Sequence, residues 1–468
     1  MDLFNTVALY YFYVVMAIFV LYDCLLLFLF RRSYRQDTAP VRLSYQEAKI
    51  IPDSQLPVVT ILLPMYREAL MPPYLFQSMA NIDYPKDKLD VRILIEDEDK
   101  ETLESIKQLA ILNENIQIVK SDDNSRIYTI NVWNRILIKI DYVTEGIRTK
   151  PNALNVGLRH AKGKIVCIYD AEDRPEEKQV RTCVAYIMKH PDVACVQARL
   201  AYYNDNQSML TRLFAIEYNF QYFVSLPTYF SLNNIILLGG TSNFFRIEPL
   251  KLLGGWDPKN VTEDADLGIR MARNRHRIVP LDITTYEEAP PKLYPWLKQR
   301  IRWNKGYLYT LLVHFRNPLR IFKETGLKSS IFLFHQLSSP IVAALTLSNL
   351  ILFALYWLNW FGMPLEPASN WITTIFNSNP LLFYTSLLTL VFGSLYSILM
   401  SLEGLFRQED DYALSKVKYI PFILLYFLFQ SVTSLISIVE LIVRPHIWHK
   451  TPHGFFLQNK ELSKLAST

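Results

Sequence analysis

The sequence predicts an α/β protein, with a doubly wound sheet set between apolar segments long enough to cross a bilayer. Three observations predict it. Short β-branched runs recur between residues 57 and 170, with helical stretches between them. Four apolar runs flank the region, one before it and three after. Acids and aromatic residues stand directly after the strand ends. Strands alternating with helices imply a largely parallel sheet, in which ligands bind beyond the carboxyl ends of the strands.

The strands are taken in order. Residues 57–64 form a β-branched run stopped by Pro64, residues 89–95 a second, 115–120 a third and 164–169 a fourth. Helices are predicted over residues 74–80 and 102–113. Residues 121–148 show little periodicity and read as an insertion.

The membrane segments follow from run length. Residues 7–30 contain one acid, Asp23, and no basic residue, and about 20 apolar residues span a bilayer as a helix. Basic residues follow this run rather than precede it, so it reads as an anchor and not as a signal peptide. Arg31, Arg32 and Arg35 place the next domain in the cytosol by the positive-inside rule. The expected organisation is an anchor at 1–36, a cytosolic domain at 52–328, membrane helices at 329–443 and a basic cytosolic tail at 444–468. The later runs are 331–360, 380–402 and 420–443. The loop 361–379, with Glu366 its one charge, is expected outside, so the basic tail at 444–454 leaves one run too many to cross. The run 420–443 is the candidate re-entrant or interfacial helix, because it holds Gln430, Ser431, Thr433, Ser434, Ser437 and Glu440. Segments 209–230 and 296–322 are amphipathic and are expected on the membrane surface.

Composition narrows the function. The chain has 468 residues, 50% hydrophobic and 20% charged, with a net charge of +5. Its bases are scattered rather than striped, which argues against a nucleic-acid partner. None of the four cysteines, Cys24, Cys167, Cys183 and Cys195, sits in a CxxC pair, so no zinc site or disulfide framework is signalled.

The strand ends carry the chemistry. Tyr66 and Glu68 follow the first strand, Glu96 and Asp97 the second, and Asp170, Glu172 and Asp173 the fourth. Carboxylates gathered at a sheet edge are stabilised by a cation, and hard oxygen ligands suit Mg²⁺ or Mn²⁺ bridging to a diphosphate. Further on, Thr262, Glu263 and Asp264 open a predicted helix with Thr262 as its N-cap, where the dipole favours ionised acids. Gln299, Arg302 and Trp303 lie on a basic, aromatic helical stretch.

As an ordered set these residues resemble the membrane-embedded family 2 glycosyltransferases, the group of cellulose, hyaluronan and chitin synthases. The resemblance rests on Pro64-Met-Tyr-Arg-Glu68, the acidic pair Glu96 and Asp97, Lys150-Pro-Asn-Ala-Leu-Asn155, Asp170-Ala-Glu172, Thr262-Glu-Asp264 and Gln299-Arg-Ile-Arg-Trp303, over about residues 57–320. It implies a GT-A-like doubly wound mixed sheet and a nucleotide-sugar donor, a UDP-sugar.

 In that reading Tyr66, Glu68 and Asp97, with Glu96 beside it, hold the uridine. Lys150 approaches the diphosphate, and Asp170 and Glu172 bind Mg²⁺ or Mn²⁺ and the diphosphate. Glu172 stands where the family has Asp and is one methylene longer, so either the metal sits slightly differently or Asp173 shares it. Asp264 is the general base, Arg302 lines the diphosphate, and Thr262, Glu263, Gln299 and Trp303 line the acceptor site. An acceptor hydroxyl deprotonated by a single base and attacking opposite the leaving group inverts the anomeric carbon, so an α-linked donor gives a β-linked product. Lys450-Thr-Pro-His-Gly454 resembles the gating loop of cellulose synthases. The expected partners are a nucleotide-sugar donor, a glycan or lipid acceptor and membrane lipids. The expected function is processive β-glycan synthesis at the cell membrane, the alternatives being single addition to a membrane lipid and, remotely, a transporter or scaffold.

Overall fold

The computed structural model describes residues 3–35, 38–113, 116–120, 128–132, 136–363, 365, 367–408, 410–444 and 454. Glu366 and residues 445–453 lie outside them.

At the centre is one mixed sheet. Its strands in chain order are β1 (Val59–Met65), β2 (Leu89–Glu96), β3 (Ile116–Lys120), β4 (Tyr128–Val132), β5 (Ile136–Val143), β6 (Ile165–Ile168), β7 (Arg174–Pro175), β8 (Val193–Tyr202), β9 (Asn243–Arg246) and β10 (Arg277–Glu287). Across the sheet they run β3-β4-β5-β2-β1-β6-β9-β8-β10-β7. The pairs β1–β2, β1–β6, β2–β5 and β8–β10 are parallel, and β9 runs antiparallel between β6 and β8. The sheet is therefore GT-A-like and mixed rather than wholly parallel.

Both faces of the sheet are covered, which is why every residue of β1 but Pro64 is buried and Thr60 is its one polar residue. Ile61 and Leu63 pack into the core on one face, with Phe76 and Ile106, and Leu62 packs into the other, with Leu154 and Leu267. Burying each such side chain contributes about 1.5–3 kcal/mol.

The reading of residues 121–148 as an insertion is corrected here. This segment supplies β4 and β5, and β5 lies parallel beside β2. In β5, Ile136, Ile138 and Ile140 are buried while Leu137 is exposed, a period-2 pattern that fits a strand. The strand expected at 115–120 consequently sits at the sheet edge, hairpinned to β4.

Among the described residues four helices are long and apolar enough to cross a membrane: Leu9–Ser33, Ser339–Trp360, Pro380–Phe406 and Asp411–Val443. The run 331–360 is divided at Ser338 into helices Leu327–Leu337 and Ser339–Trp360. Helix Ile423–Val443 turns its polar residues to protein. Tyr426 and Gln430 reach Glu217, and Asn304 donates to Thr433 and Ser434 at 3.1 and 3.0 Å. Glu440 pairs with the buried Lys305 at 3.0 Å. Asn304 and Lys305 belong to helix Leu293–His314, whose Trp296 is fully buried. Helix Pro380–Phe406 meets helix Met209–Phe220 at Gly404, where a Cβ would lie 2.6 Å from the Phe220 nitrogen. Only glycine allows so close an approach.

Candidate active site

A cavity of about 1160 Å³ opens at the carboxyl edge of the sheet, and the ends of β1, β2 and β6 supply part of its wall. After β1 the chain bends at Arg67, which adopts a left-handed φ of 54°. Asp99 fixes this bend by accepting the Arg67 N–H at 2.6 Å, and it also caps helix Lys100–Leu112 through the Thr102 N–H at 3.2 Å. Glu68 is anchored in turn, its N–H donating to Thr102 Oγ1 at 2.9 Å. Tyr66, Arg67 and Glu68 all face the cavity.

At the end of β2, Glu96 lines the cavity and Asp97 is exposed outside it. Burial, joined by the nearby acids Asp97, Glu98 and Asp99, pushes the Glu96 carboxyl up to about 7 against the pull of Arg148. Of the two acids proposed for the base of a nucleotide, the structure brings Glu96 to the site.

After β6, Asp170 is ion-paired with Lys150, which also donates to the Gly240 carbonyl at 2.9 Å. Lys150 opens helix Lys150–His160, capped by Thr149 and started by Pro151. Burial alone lowers the Lys150 pKa, but Asp170 and Glu263 outweigh it and hold the ammonium charged. Asn155, one helical turn on, grips the Gly254–Gly255 turn through Trp256, donating to its carbonyl at 2.7 Å and accepting its N–H at 2.9 Å.

Glu172 lines the cavity, but Asp173 does not. Asp173 is 1% exposed and accepts the Asp170 N–H at 2.7 Å and the Thr241 hydroxyl. The expectation that Asp173 shares a metal is therefore corrected: its carboxylate is turned inward to hold the Asp170 turn. Among the described residues no three His, Cys, Asp or Glu side chains converge as a metal cage. The pair Asp170 and Glu172 still fits Mg²⁺ or Mn²⁺, which commonly take one or two carboxylates and complete their shell with phosphate oxygens and water.

On the opposite wall, helix Glu263–Arg273 begins beside helix Leu293–His314. Thr262 occupies the N-cap position but makes no capping bond; its hydroxyl meets Asn260 and Thr310 instead, at 3.3 and 3.4 Å. Gly306 packs against it, and a Cβ there would lie 2.3 Å from Thr262 Cγ2. Burial pushes the Glu263 carboxyl up to about 7, with Asp264 adding to the rise and Lys150 opposing it. Burial likewise raises Asp264, countered by the Ala265 N–H at 2.8 Å and by Lys150 and Arg302. Gly240 lies between the two key charges: a Cβ placed on it would be 3.5 Å from Asp264 Oδ2 and 3.6 Å from Lys150 Nζ.

Gln299, Arg302 and Trp303 all line the cavity. Gln299 is 8% exposed and its Oε1 has no hydrogen-bond partner among the described residues. Burial lowers the Arg302 pKa, while Glu263, Asp264, Asp170 and Glu172 support its charge. The Trp303 ring meets Phe214 edge-on at 6.0 Å and the Arg300 guanidinium at 4.8 Å. Sequence reasoning passed over Gln197, Tyr222, Glu287 and Glu288, which also line the cavity. The Gly239-Gly240 pair after an apolar run was the available signal for that wall. Gly454 is buried and donates its N–H to Glu288 at 2.5 Å, while Lys450 to His453 lie outside the described residues.

A family model for glycosyl transferase family group 2 matches residues 165–432, more than half of the chain. The chain belongs to this family. Among curated relatives in the same sequence neighbourhood is a probable glycosyltransferase, YdaM, of Bacillus subtilis, 27% identical over 267 residues, covering 55% of this chain and 57% of the relative. A probable glucomannan 4-beta-mannosyltransferase 7 of Oryza sativa subsp. japonica is 27% identical over 308 residues, covering 64% and 49%. The chain thus spans about half the length of these relatives. A solved mannosyltransferase of Pyrobaculum calidifontis, in complex with GDP-Man and Mn²⁺, has a TM-score of 0.49 and 18% identity, covering 81% of this chain and 97% of that one.

Proposed function

We propose that the protein is an inverting, metal-assisted glycosyltransferase that moves a sugar from a nucleoside-diphosphate sugar to a growing β-linked glycan at the cytosolic face of the cell membrane. The observation that carries this reading is the position of Gly240 between Lys150, paired with Asp170, and Asp264. A cationic diphosphate site and a half-buried carboxylate base thereby face one small gap.

Asp264 takes the acceptor hydroxyl proton as the acceptor oxygen bonds to the anomeric carbon. The bond from that carbon to the diphosphate breaks, and the nucleoside diphosphate leaves with the electron pair. Burial makes Asp264 a stronger base than a solvated aspartate. Lys150 and Arg302 offset the charge of the leaving diphosphate. Asp170 and Glu172 would hold Mg²⁺ or Mn²⁺, which would supply Lewis-acid stabilisation of the diphosphate. Glu96, Tyr66 and Glu68 form the nucleoside end, and Gln299 and Trp303 the acceptor end.

A second reading, addition of a single sugar to a membrane lipid, is favoured by one observation. The cavity extends to Ser339, the first residue of helix Ser339–Trp360, and to Phe427 and Gln430. The test is to offer purified protein in detergent a panel of UDP- and GDP-sugars with Mg²⁺ or Mn²⁺ and to size the product. A polymer supports the glycan reading, one or two sugars on a lipid support the second, and no turnover of any donor overturns both.

A further inference from the structure

Gln197 lies on β8 and is 1% exposed, yet it lines the cavity. Its Oε1 has no hydrogen-bond partner among the described residues. A buried amide oxygen left unpaired costs about 1–3 kcal/mol, so a chain that keeps one beside a cavity gains when something in the cavity donates to it. The amide end is fixed. Gln197 hydrogen-bonds the Tyr222 side chain, and a Cβ on Gly239 would lie 3.0 Å from Gln197 Nε2 and 3.3 Å from the Tyr222 hydroxyl. Both polar tips therefore rest against one glycine, next to the glycine that Lys150 and Asp264 flank.

Tyr222 has a second, independent peculiarity. It sits in a single turn of π-helix, Gln221–Ser225, between helices Met209–Phe220 and Leu226–Ser231. Such turns carry one extra residue, re-aim side chains and are frequent at functional sites. Here the turn contributes Gln221 and Tyr222 to the cavity wall.

We propose that Gln197, held by Tyr222, is a specificity-determining residue whose Oε1 accepts a hydrogen bond from one pyranose hydroxyl bound beside Asp264. The hydroxyl belongs either to the sugar being transferred or to the terminal sugar of the acceptor. This rests on the reading under Proposed function, and it adds the residue that reads the sugar. A site built to bond a hydroxyl rejects the analogue lacking it far more strongly than an apolar pocket does.

The experiment uses the full chain in detergent with UDP-glucose and GDP-mannose, each beside its 2-, 3-, 4- and 6-deoxy analogues, and with octyl β-glucoside and octyl β-mannoside beside their deoxy forms. The quantity read is the ratio of kcat/KM for parent over deoxy compound, together with binding of each donor by titration calorimetry. For one hydroxyl position, Gln197→Leu and Tyr222→Phe should each compress the wild-type ratio, Gln197→Leu by tenfold or more. Compression in the donor series assigns the transferred sugar, and compression in the octyl glycoside series assigns the acceptor. Unchanged ratios at every position in a folded, active variant overturn the proposal while leaving the proposed function standing. If Gln197→Leu does not fold, Tyr222→Phe decides by the same criterion. Wild-type protein that neither binds nor turns over any donor overturns both.

Discussion

The Arg300 guanidinium lies over the Trp303 indole, 4.8 Å from its centroid, in a setting that gives the arginine no freedom to leave. Glu217 receives both of its terminal nitrogens, one at 2.9 Å, and accepts from the Tyr426 hydroxyl and from Gln430 at 3.0 Å. Arg300 also lies over the rings of Phe214 and Trp296, at 4.3 and 5.4 Å. This partly buried pair joins three helices behind the tryptophan. Arg300→Met should lower the stability of the folded protein, by up to about 3 kcal/mol, because Glu217 keeps Tyr426 and Gln430 but loses its cationic partner. The double variant Glu217→Gln, Arg300→Met should recover most of that loss. Thermal unfolding in detergent checks it, and a double variant no more stable than Arg300→Met alone would show that the pair is not the cause.

Trp303 itself is expected to act on the acceptor. Trp303→Ala should leave nucleotide-sugar binding nearly intact and shorten the product at equal nucleotide consumption, or divert turnover into hydrolysis. The measurement is product length in wild type and variant. Wild type that adds only one or two sugars to a lipid, with the variant merely slower, replaces the glycan reading by the lipid one.

Asp264→Asn should keep nucleotide binding and cut transfer at least a hundredfold, within the roughly 10²–10⁴ typical of acid–base catalysis. Asp170→Asn should abolish transfer without unfolding the chain, and excess chelator should do the same to wild type. Full turnover in chelator removes the metal from the reading. Loss of nucleotide binding in Asp264→Asn, with turnover of bound donor unchanged, removes Asp264 as base.

Gly306→Ala places a methyl group 2.3 Å from Thr262 Cγ2, within the contact that seats the start of the Asp264 helix. Both residues are buried. Overpacking of this kind typically costs 1–3 kcal/mol. The variant should fold, melt at a lower temperature and lose activity, while Gly326→Ala, far from any neighbour but at a φ of 82°, should lose stability alone. Equal activity of Gly306→Ala and wild type would separate Thr262 from the chemistry.

The pH dependence of stability has a definite sign. Glu96 titrates near 7 in the fold and near 4.5 when free, so the folded state binds the extra proton between those values. Stability from this residue is therefore highest at low pH and falls as pH rises from about 4.5 through 7. Glu96→Gln should raise the melting temperature at pH 8, by an amount equivalent to a few kcal/mol at most, and change it little at pH 5. A variant that is less stable than wild type at pH 8 contradicts this.

Much of this architecture is legible in the sequence because the strand ends and the acids coincide. β1, β2 and β6 were each visible as β-branched runs, and Tyr66, Glu96 and Asp170 follow or close them. Residues 136–143 were harder, although Ile136, Ile138 and Ile140 alternate, because Leu137 breaks the polar half of the pattern. The inward turn of Asp173 could not be read at all, since Asp170, Glu172 and Asp173 differ in orientation and not in type. Gln197 and Tyr222 escaped for a related reason. They lie in an ordinary strand and an ordinary amphipathic run, and only the fold brings both to Gly239.

The contact at Gly404 has a mechanical consequence. Phe220, whose backbone nitrogen it touches, is itself part of the cavity wall and lies two residues before Tyr222. No lever arm or slack separates helix Pro380–Phe406 from that wall. Were this helix to sit in a bilayer, a change of thickness that tilted it would alter the shape of the chamber, and activity in thin and thick lipids should then differ.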